Sequence, residues 1–361
     1  MGETQVMTNR RELLSHAVGA LTGVAFTGCG LVSPALSQAP PRRREVVVNG
    51  KRVKTVDVHA HCHIPEANTL MGLKVQPSLA ISPERIKAMD EQGIDIEALS
   101  LNPIFWYKAE PDLAGQVVKL QNEKLADICA AQPDRFVGLA SVALQHPELA
   151  AEQLEHAVKQ LGLRGALIGG SVNGEELSDA KFHPFWAKAE QLGVLIFIHP
   201  QGTPEIAAAG RLKGNGVLEN VIGNPLETTI ALSHLIFEGT LDSYPGIKIC
   251  AAHAGGYLPS YAARSDQGCV TFPARCTKTL EKKPTEYLRQ LYYDSIVFTP
   301  EGLRHLIAEV GASQIVLGTD YPFPWTKTAV DHILTTPGLS DAERVAILGE
   351  TAEKLLAVKP T

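Results

Sequence analysis

The sequence lacks several features that would place it in other protein classes. No CxxC pair occurs among its 6 cysteines, so a thiolate zinc site is not supported. No GxGxxG or Walker loop is present, which argues against a nucleotide-binding doubly wound sheet. No basic patch with interleaved aromatic residues stands out in a chain of net charge -6, so nucleic acid is not an expected partner. We find no internal repeat of fixed period.

The composition of the chain is that of an ordinary soluble globular protein. Of its 361 residues, 45% are hydrophobic and 20% are charged. This is enough apolar material for one large core, and α/β barrels of this size commonly form a single domain. We therefore expect one main domain over residues 55–361, preceded by a linker over residues 38–54.

Residues 1–37 differ in kind from the rest of the chain. The pair Arg10-Arg11 precedes a weakly hydrophobic stretch over residues 17–32, which several glycines interrupt. Small residues then lead to a plausible cleavage point after Ser37. This pattern predicts a twin-arginine signal peptide and a periplasmic protein with no transmembrane span. A disordered tail with a chance arginine pair is the alternative.

The cysteines bear on the same question of compartment. Cys29 follows a sequence similar to a lipoprotein box, so lipid anchoring at this residue is a second alternative. Its removal with the signal leaves an odd five cysteines, which cannot all be paired. Cys269 and Cys276 are close enough in sequence to form a disulfide in an oxidising periplasm, while free buried thiols remain the alternative.

The main domain alternates short apolar runs with helical patterns. The candidate strands are residues 55–61, 94–101, 136–144, 163–169, 194–199, 247–253, 291–296 and 314–320. They are rich in Val, Ile, Leu and Ala without strict alternation, as is typical of parallel strands covered on both faces. Eight strand–helix alternations favour an α/β fold of the (β/α)8 TIM barrel type, with an open doubly wound sheet as the alternative.

Polar residues with metal-binding chemistry fall at the carboxyl ends of four candidate strands. His59 and His61 are two residues apart on the first strand, so their side chains point the same way. His199 and His253 each end an apolar strand, although one such residue alone is by default a satisfied core histidine. Asp320 ends the last strand, where a helix N-cap is its alternative role. Together they form an N/O ligand set for one catalytic divalent metal, zinc by default and manganese as the alternative.

These motifs as a set resemble the amidohydrolase superfamily, and within it the branch of 2-amino-3-carboxymuconate-6-semialdehyde decarboxylase-like metal-dependent enzymes. The resemblance extends over residues 55–358. Its motifs are Asp57-Val58-His59-Ala60-His61, Phe197-Ile198-His199-Pro200, Pro225-Leu226-Glu227-Thr228-Thr229, Ala252-His253-Ala254-Gly255-Gly256 and Gly318-Thr319-Asp320-Tyr321-Pro322-Phe323-Pro324. The resemblance implies four metal ligands, which are His59, His61, His199 and Asp320. The fourth strand ends without a lysine that carbamylation could turn into a bridge, which supports one metal ion rather than two.

The resemblance also implies the remaining roles. His253 matches the general acid/base that moves the proton of a metal-bound water, and Asp320 is catalytic as well as a ligand. Arg264 matches an arginine that grips a substrate carboxylate in the neighbouring subunit of a homodimer. The segment over residues 62–82 departs from this branch, because it is short and Lys74 is its only cation.

The expected function is that of a mononuclear metal-dependent decarboxylase acting on an unsaturated or aromatic carboxylic acid. A hydrolase that opens a lactone, amide or ester on the same site is the alternative, and an inactive barrel is a third. Two roles stay open in the surrounding residues. Asn224 and Glu227 either line the pocket or, as we slightly favour, cap the helix that begins there. Trp106, Tyr107 and Trp325 either stack on the substrate or pack in loops at the barrel mouth.

Overall fold

We describe the protein from a computed structural model, in which residues 43–74, 79–101, 105–276 and 280–359 are described. The predicted signal peptide over residues 1–37, with Cys29, lies outside the described residues.

Eight parallel strands close into a barrel. They are β1 (Val56–Cys62), β2 (Ile96–Leu101), β3 (Phe136–Gly138), β4 (Gly165–Ile168), β5 (Leu195–Ile198), β6 (Lys248–Ala251), β7 (Tyr292–Asp294) and β8 (Ile315–Val316). Backbone hydrogen bonds join β1, β2 and β3 in that order into one sheet. They join β4, β5, β6, β7 and β8 in that order into a second sheet. Parallel bridges from Ala140 to Ala166 and from Ala60 to Tyr321 complete the ring between these two arcs. The predicted (β/α)8 barrel is confirmed.

The third strand is shorter than the predicted range of residues 136–144. Its ladder ends at Gly138, and the next two residues still donate backbone N–H groups to neighbouring strands. Ser141 then leaves the sheet, because the Asn122 side chain accepts its N–H at 2.8 Å and donates to its C=O at 2.9 Å. A helix side chain thus replaces the neighbouring strand as the partner of this backbone.

Helices follow the strands and cover the outside of the barrel. They are α1 (Pro65–Leu70), α2 (Pro83–Gln92), α3 (Pro111–Ala131), α4 (Pro147–Lys159), α5 (His183–Leu192), α6 (Pro204–Ala208), α7 (Asn224–Phe237), α8 (Thr240–Ser243), α9 (Leu258–Thr271), α10 (Pro273–Cys276), α11 (Pro284–Tyr287), α12 (Pro300–Val310), α13 (Ala329–Thr335), α14 (Asp341–Val345) and α15 (Thr351–Leu355). In the part of the chain that the structure describes, none of these helices has both the length and the apolar character needed to cross a membrane.

Capping side chains and glycines set several of the helix boundaries. The Thr299 side chain accepts the N–H of Gly302 at the start of α12, and Ser340 begins α14 with a capping box. Gly93 and Gly193 end α2 and α5 in the left-handed conformation, with φ of 77° and 62°.

The predicted linker over residues 38–54 is wrong for its second half. Val46–Val48 pairs antiparallel with Lys51–Val53, and the turn at Asn49-Gly50 has positive φ at both residues. An Asn-Gly turn of this kind is a strong hairpin signal. Val46, Val48 and Val53 are buried in the main core, so the hairpin belongs to the domain.

Of the two states left open for Cys269 and Cys276, the structure has the disulfide, at the end of α9 and in α10. The other cysteines within the described residues are free thiols, namely Cys62, Cys129 and Cys250.

Candidate metal centre and active site

All four predicted metal ligands meet at the carboxyl end of the barrel, and His253 joins them. Nε2 of His61 lies 3.1 Å from both His59 Nε2 and Asp320 Oδ1, and His59 Nε2 lies 3.3 Å from the same carboxylate oxygen. The ligand atoms of His59, His199, His253 and Asp320 all lie within 4.8 Å of one another. Residues from β1 and from the ends of β5, β6 and β8 therefore form one cluster.

An irregularity in β1 directs its two histidines into the barrel. Val56 and Val58 belong to the inner apolar cluster, so simple alternation would place His59 and His61 on the outer face. The register between β1 and β2 shifts between Asp57 and Ala60. Asp57 pairs with Glu97 and Ala60 with Leu99, so β1 has one more residue than β2 over this stretch. This bulge reverses the alternation, and both imidazoles become inward-facing and fully buried.

Each of the three ligand imidazoles is held through its Nδ1 atom. His59 Nδ1 lies 2.7 Å from Asp294 Oδ2, and His199 Nδ1 lies 2.9 Å from the backbone oxygen of Pro200. His61 Nδ1 lies 3.2 Å from Ser100 Oγ. With Nδ1 occupied in this way, each Nε2 atom is presented to the centre of the cluster, as in metal sites whose outer partners orient the ligands.

The cluster fits a cation. Asp320 Oδ1 and His199 Nε2 are buried and have no hydrogen-bond partner, which is costly for polar atoms unless a further group satisfies them. Three imidazole nitrogens and one carboxylate are also the donor set of a mononuclear catalytic metal site. Within the described residues, Asp320 is the carboxylate of this cluster and no second one belongs to it.

The ionisation of the cluster suits metal binding. Burial lowers the pKa of His61 to about 4 and that of His199 well below its usual value, so both imidazoles are neutral. Burial raises the pKa of Asp320, but the imidazoles of His59, His253 and His61 outweigh it and hold this pKa well below its usual range. Burial lowers the pKa of His59, but Asp320 and Asp294 together raise it to about 10. A bound cation therefore competes with a proton at His59.

Asp294, at the end of β7, is a functional residue that was not predicted. Besides His59 Nδ1, its carboxylate accepts the backbone N–H groups of His253 at 2.7 Å and Ala254 at 2.9 Å. Both of those residues have positive φ, 52° and 56°, a conformation that costs about 1–3 kcal/mol unless its surroundings hold it. Asp294 thus positions the predicted metal ligand His59 and the predicted acid/base His253 together. The available signal was a carboxylate near the end of a predicted strand.

Replacing Asp294 with asparagine tests this positioning role. We expect metal affinity to fall about 10–100-fold, because the neutral amide cannot match the carboxylate as an acceptor for His59 and the two N–H groups. Metal titration monitored by calorimetry measures the effect. Asp331→Asn is the matched control, since Asp331 only pairs with Arg44. Equal metal affinity in the two variants would remove Asp294 from the site.

Two cavities open beside the cluster and share Asn220 and Asn224. The larger, of about 1050 Å³, is lined by Trp106 and Tyr107 among others. The smaller, of about 380 Å³, is lined by His253 together with Ile296, Phe298 and Trp325 among others. The aromatic residues predicted at the mouth therefore do line cavities. Tyr107 also has a structural role, because its hydroxyl accepts the N–H of Gly169 at 2.9 Å.

The role we favoured for Glu227 is wrong. Helix α7 begins at Asn224 without a side-chain cap. Glu227 instead accepts the N–H groups of Gln201 and Gly202, the latter at 2.7 Å, and the hydroxyl of Ser171 at 3.1 Å. It therefore fixes the loop that follows His199, and it lines the larger cavity.

Arg264 does not join the cluster. It lies on an exposed part of α9 and lines neither of the two cavities.

Three buried histidines and an aspartate lie at the mouth of a (β/α)8 barrel, with a fourth histidine beside them. This combination of fold and site defines a metal-dependent enzyme. The amidohydrolase family model matches residues 56–358, and the chain belongs to this family.

Its relatives narrow the class. The 2-amino-3-carboxymuconate-6-semialdehyde decarboxylase of Dictyostelium discoideum is 32% identical over 278 residues, 76% of this chain and 76% of the relative. The gamma-resorcylate decarboxylase of Polaromonas sp. (strain JS666) is 32% identical over 287 residues, 77% of this chain and 87% of the relative. A crystal structure of dihydroxybenzoic acid decarboxylase from Polaromonas sp. JS666, with bound manganese and the inhibitor 2-nitroresorcinol, has a TM-score of 0.77 and 28% identity. The matched region covers 86% of this chain and 98% of the crystallised chain. The predicted class, a metal-dependent decarboxylase or hydrolase of the amidohydrolase superfamily, is confirmed.

Proposed function

We propose that the protein is a mononuclear metal-dependent decarboxylase of an unsaturated or aromatic carboxylic acid. The observation that carries this proposal is the position of His253. Its side chain is 18% exposed, belongs to the ligand cluster, and lines the 380 Å³ cavity. A group that can carry a proton thus lies both in the ligand cluster and on the wall of a cavity large enough for a small acid. The names of the relatives support the same chemistry.

His59, His61, His199 and Asp320 are the residues that would hold the metal ion. A divalent ion bound there supplies a Lewis acid that stabilises negative charge on an oxygen of the substrate or of water. We propose zinc, because imidazole nitrogens dominate the ligand set. One relative was crystallised with manganese, and elemental analysis of the purified protein decides between the two metals.

The reaction needs a proton at the carbon that loses its carboxylate. When the carbon–carbon bond breaks, its electron pair stays on that carbon, CO2 leaves, and one proton replaces it. His253 is placed to deliver this proton from Nε2, which lies 3.7 Å from Asp320 Oδ2. The Asp320 carboxylate faces the ring and keeps it turned toward the cluster. Phe298 and Trp325 line the same cavity with apolar surface against which the carbon skeleton of the acid can pack.

The deciding experiment is CO2 release from a panel of hydroxybenzoates and carboxylated muconates by metal-verified protein. Lactones, amides and esters are run alongside, because the same site could serve a hydrolase. We expect CO2 from at least one acid of the panel. Ring opening or amide cleavage without CO2 would overturn the decarboxylase proposal and leave the metal site standing.

We also propose that Arg264 acts across a homodimer. It is exposed on α9, and the same helix exposes Tyr261 beside Tyr257 at its start, 68% and 39% exposed respectively. An apolar, exposed helix face next to a cation that lines neither of the two cavities described above supports a partner at this surface.

Arg264→Ala is expected to raise the KM for the acid about tenfold or more, because a charge-assisted hydrogen bond to the substrate is lost. We also expect the variant to form a weaker dimer, which dissociates at a higher protein concentration than the dimer of the native protein does. Steady-state kinetics and analytical ultracentrifugation measure the two effects, with Arg289→Ala as a control. An Arg264→Ala protein with unchanged KM would remove the arginine from the substrate site.

We propose finally that the protein is exported to the periplasm by a twin-arginine signal, with lipid anchoring at Cys29 as the alternative. The disulfide between Cys269 and Cys276 supports an oxidising compartment. Fractionation of cells expressing the full chain, with mass spectrometry of the mature N-terminus, tests this. The double substitution Arg10→Lys and Arg11→Lys should block export.

A further inference from the structure

A third cavity, of about 230 Å³, lies against β1 and has no role in the mechanism above. Apolar side chains form much of its wall. Four uncharged polar side chains also line it, and these are His63, Asn68, Trp106 and Gln121. We call this cavity the side pocket.

The polar groups of the side pocket lack partners. His63 is only 7% exposed, and neither of its ring nitrogens has a hydrogen-bond partner. Trp106 Nε1 is likewise buried and unpaired. Within the described residues, no hydrogen bond is formed by the side chains of Asn68 or Gln121, which are 7% and 6% exposed. Buried polar groups are normally satisfied, so the unpaired imidazole of His63 and indole of Trp106 on the wall of one cavity indicate a polar occupant.

The side pocket adjoins the active site at two points. Its wall includes Phe323, whose ring lies 5.9 Å from that of the metal ligand His61. It also includes Trp106, which lines the 1050 Å³ cavity as well. His63 itself directly follows the bulged segment of β1 that carries the ligands. The side pocket therefore borders the metal centre.

The chemistry of the wall selects the substituent. The indole and both carboxamides donate N–H groups, and the imidazole can donate one, so the pocket favours a hydrogen-bond acceptor. No acidic residue, lysine or arginine belongs to its wall within the described residues. Burying a charged group without an opposite charge is far costlier than burying a neutral one. A neutral oxygen, as in a carbonyl or ether, fits better than a second carboxylate.

We propose that the side pocket is a specificity site that binds a neutral, oxygen-bearing substituent of the acid substrate through His63 and Trp106. This inference rests on the proposed function only for the statement that the bound molecule is a carboxylic acid.

The test compares two pairs of probe ligands by isothermal titration calorimetry with zinc-loaded full-length protein. The pairs are 3-acetylbenzoate with 3-isopropenylbenzoate, and the corresponding 4-substituted acids. Members of a pair differ only by a carbonyl oxygen replaced with a methylene group. We expect the acetyl compound of at least one pair to bind about fivefold or more tightly, as one added hydrogen bond predicts.

Variants test whether the preference for the acetyl compound depends on the side pocket. His63→Leu should abolish it, and His63→Gln, which keeps a donor, should retain part of it. Trp106→Phe is a second test in case His63→Leu folds poorly, and thermal unfolding and zinc content check every variant. His234→Leu is the matched control, because His234 lies on the outer helix α7 and pairs with Glu238.

The failure of this inference is distinct from failure of the proposed function. Equal binding of both members of each pair, no binding of either, or a preference that survives both His63→Leu and Trp106→Phe would overturn the side-pocket proposal even if CO2 is released from the panel. A preference that depends on His63 supports the side pocket even if the enzyme proves to be a hydrolase.

Discussion

His199→Ala is expected to yield a folded protein that has lost tight metal binding. The variant removes one of four converging ligand atoms, and its Nε2 atom has no other partner to lose. Removing a mere outer partner of a ligand typically weakens a site about 10–100-fold, so loss of the ligand itself should exceed about 100-fold. Elemental analysis after gel filtration measures the bound metal.

The barrel should survive this change because His199 lies just beyond the end of β5 and its hydrogen bond to the sheet, from its N–H to the Ile168 carbonyl at 2.9 Å, is a backbone bond that alanine keeps. Circular dichroism should therefore match that of the native protein. Added zinc should raise the thermal unfolding temperature of the native protein but not of the variant, since a ligand stabilises only a state that binds it. His234→Ala serves as the control. A His199→Ala protein that purifies with a full metal complement would refute the ligand assignment.

The cluster of candidate metal ligands was predictable because the signal of each residue is local. A histidine or aspartate at the end of an apolar strand can be seen in the sequence of that strand alone, and parallel strands bring several such ends together at one rim. His59, His61, His199 and Asp320 all carried that signal, and the structure gathers them around a common centre.

What the sequence could not show depends on contacts between distant segments. Strict alternation from the inward-facing Val56 and Val58 would have turned His59 outward, and only the register between β1 and β2 reveals the bulge that prevents this. Asp294 is 235 residues from His59 in sequence, so its hydrogen bond to that ring has no local signature. The role of Glu227 similarly depends on a loop 25 residues away. The hairpin turn at Asn49-Gly50, by contrast, was a local signal that we overlooked.

The position of His253 in the backbone determines how its function should be tested. Its φ of 52° lies in the left-handed region, which asparagine adopts more readily than most residues. Asp294 holds this conformation through backbone N–H groups, so the bonds do not depend on the side chain at position 253. His253→Asn therefore removes the proton carrier with less risk to the loop than His253→Ala, which serves as the companion variant.

Both variants are expected to retain the metal and to lose turnover, with kcat reduced about 10²–10⁴-fold because proton delivery by a positioned side chain is lost. The KM should change less, since His253 is not among the four residues that would hold the metal. Single-turnover CO2 release, measured with metal content determined on the same sample, separates a chemical defect from a loss of metal. His305→Asn is the control, because His305 lines the same cavity outside the ligand cluster. If His253→Asn with a full metal complement turns over at a rate near that of the native enzyme, the proton must come from another group.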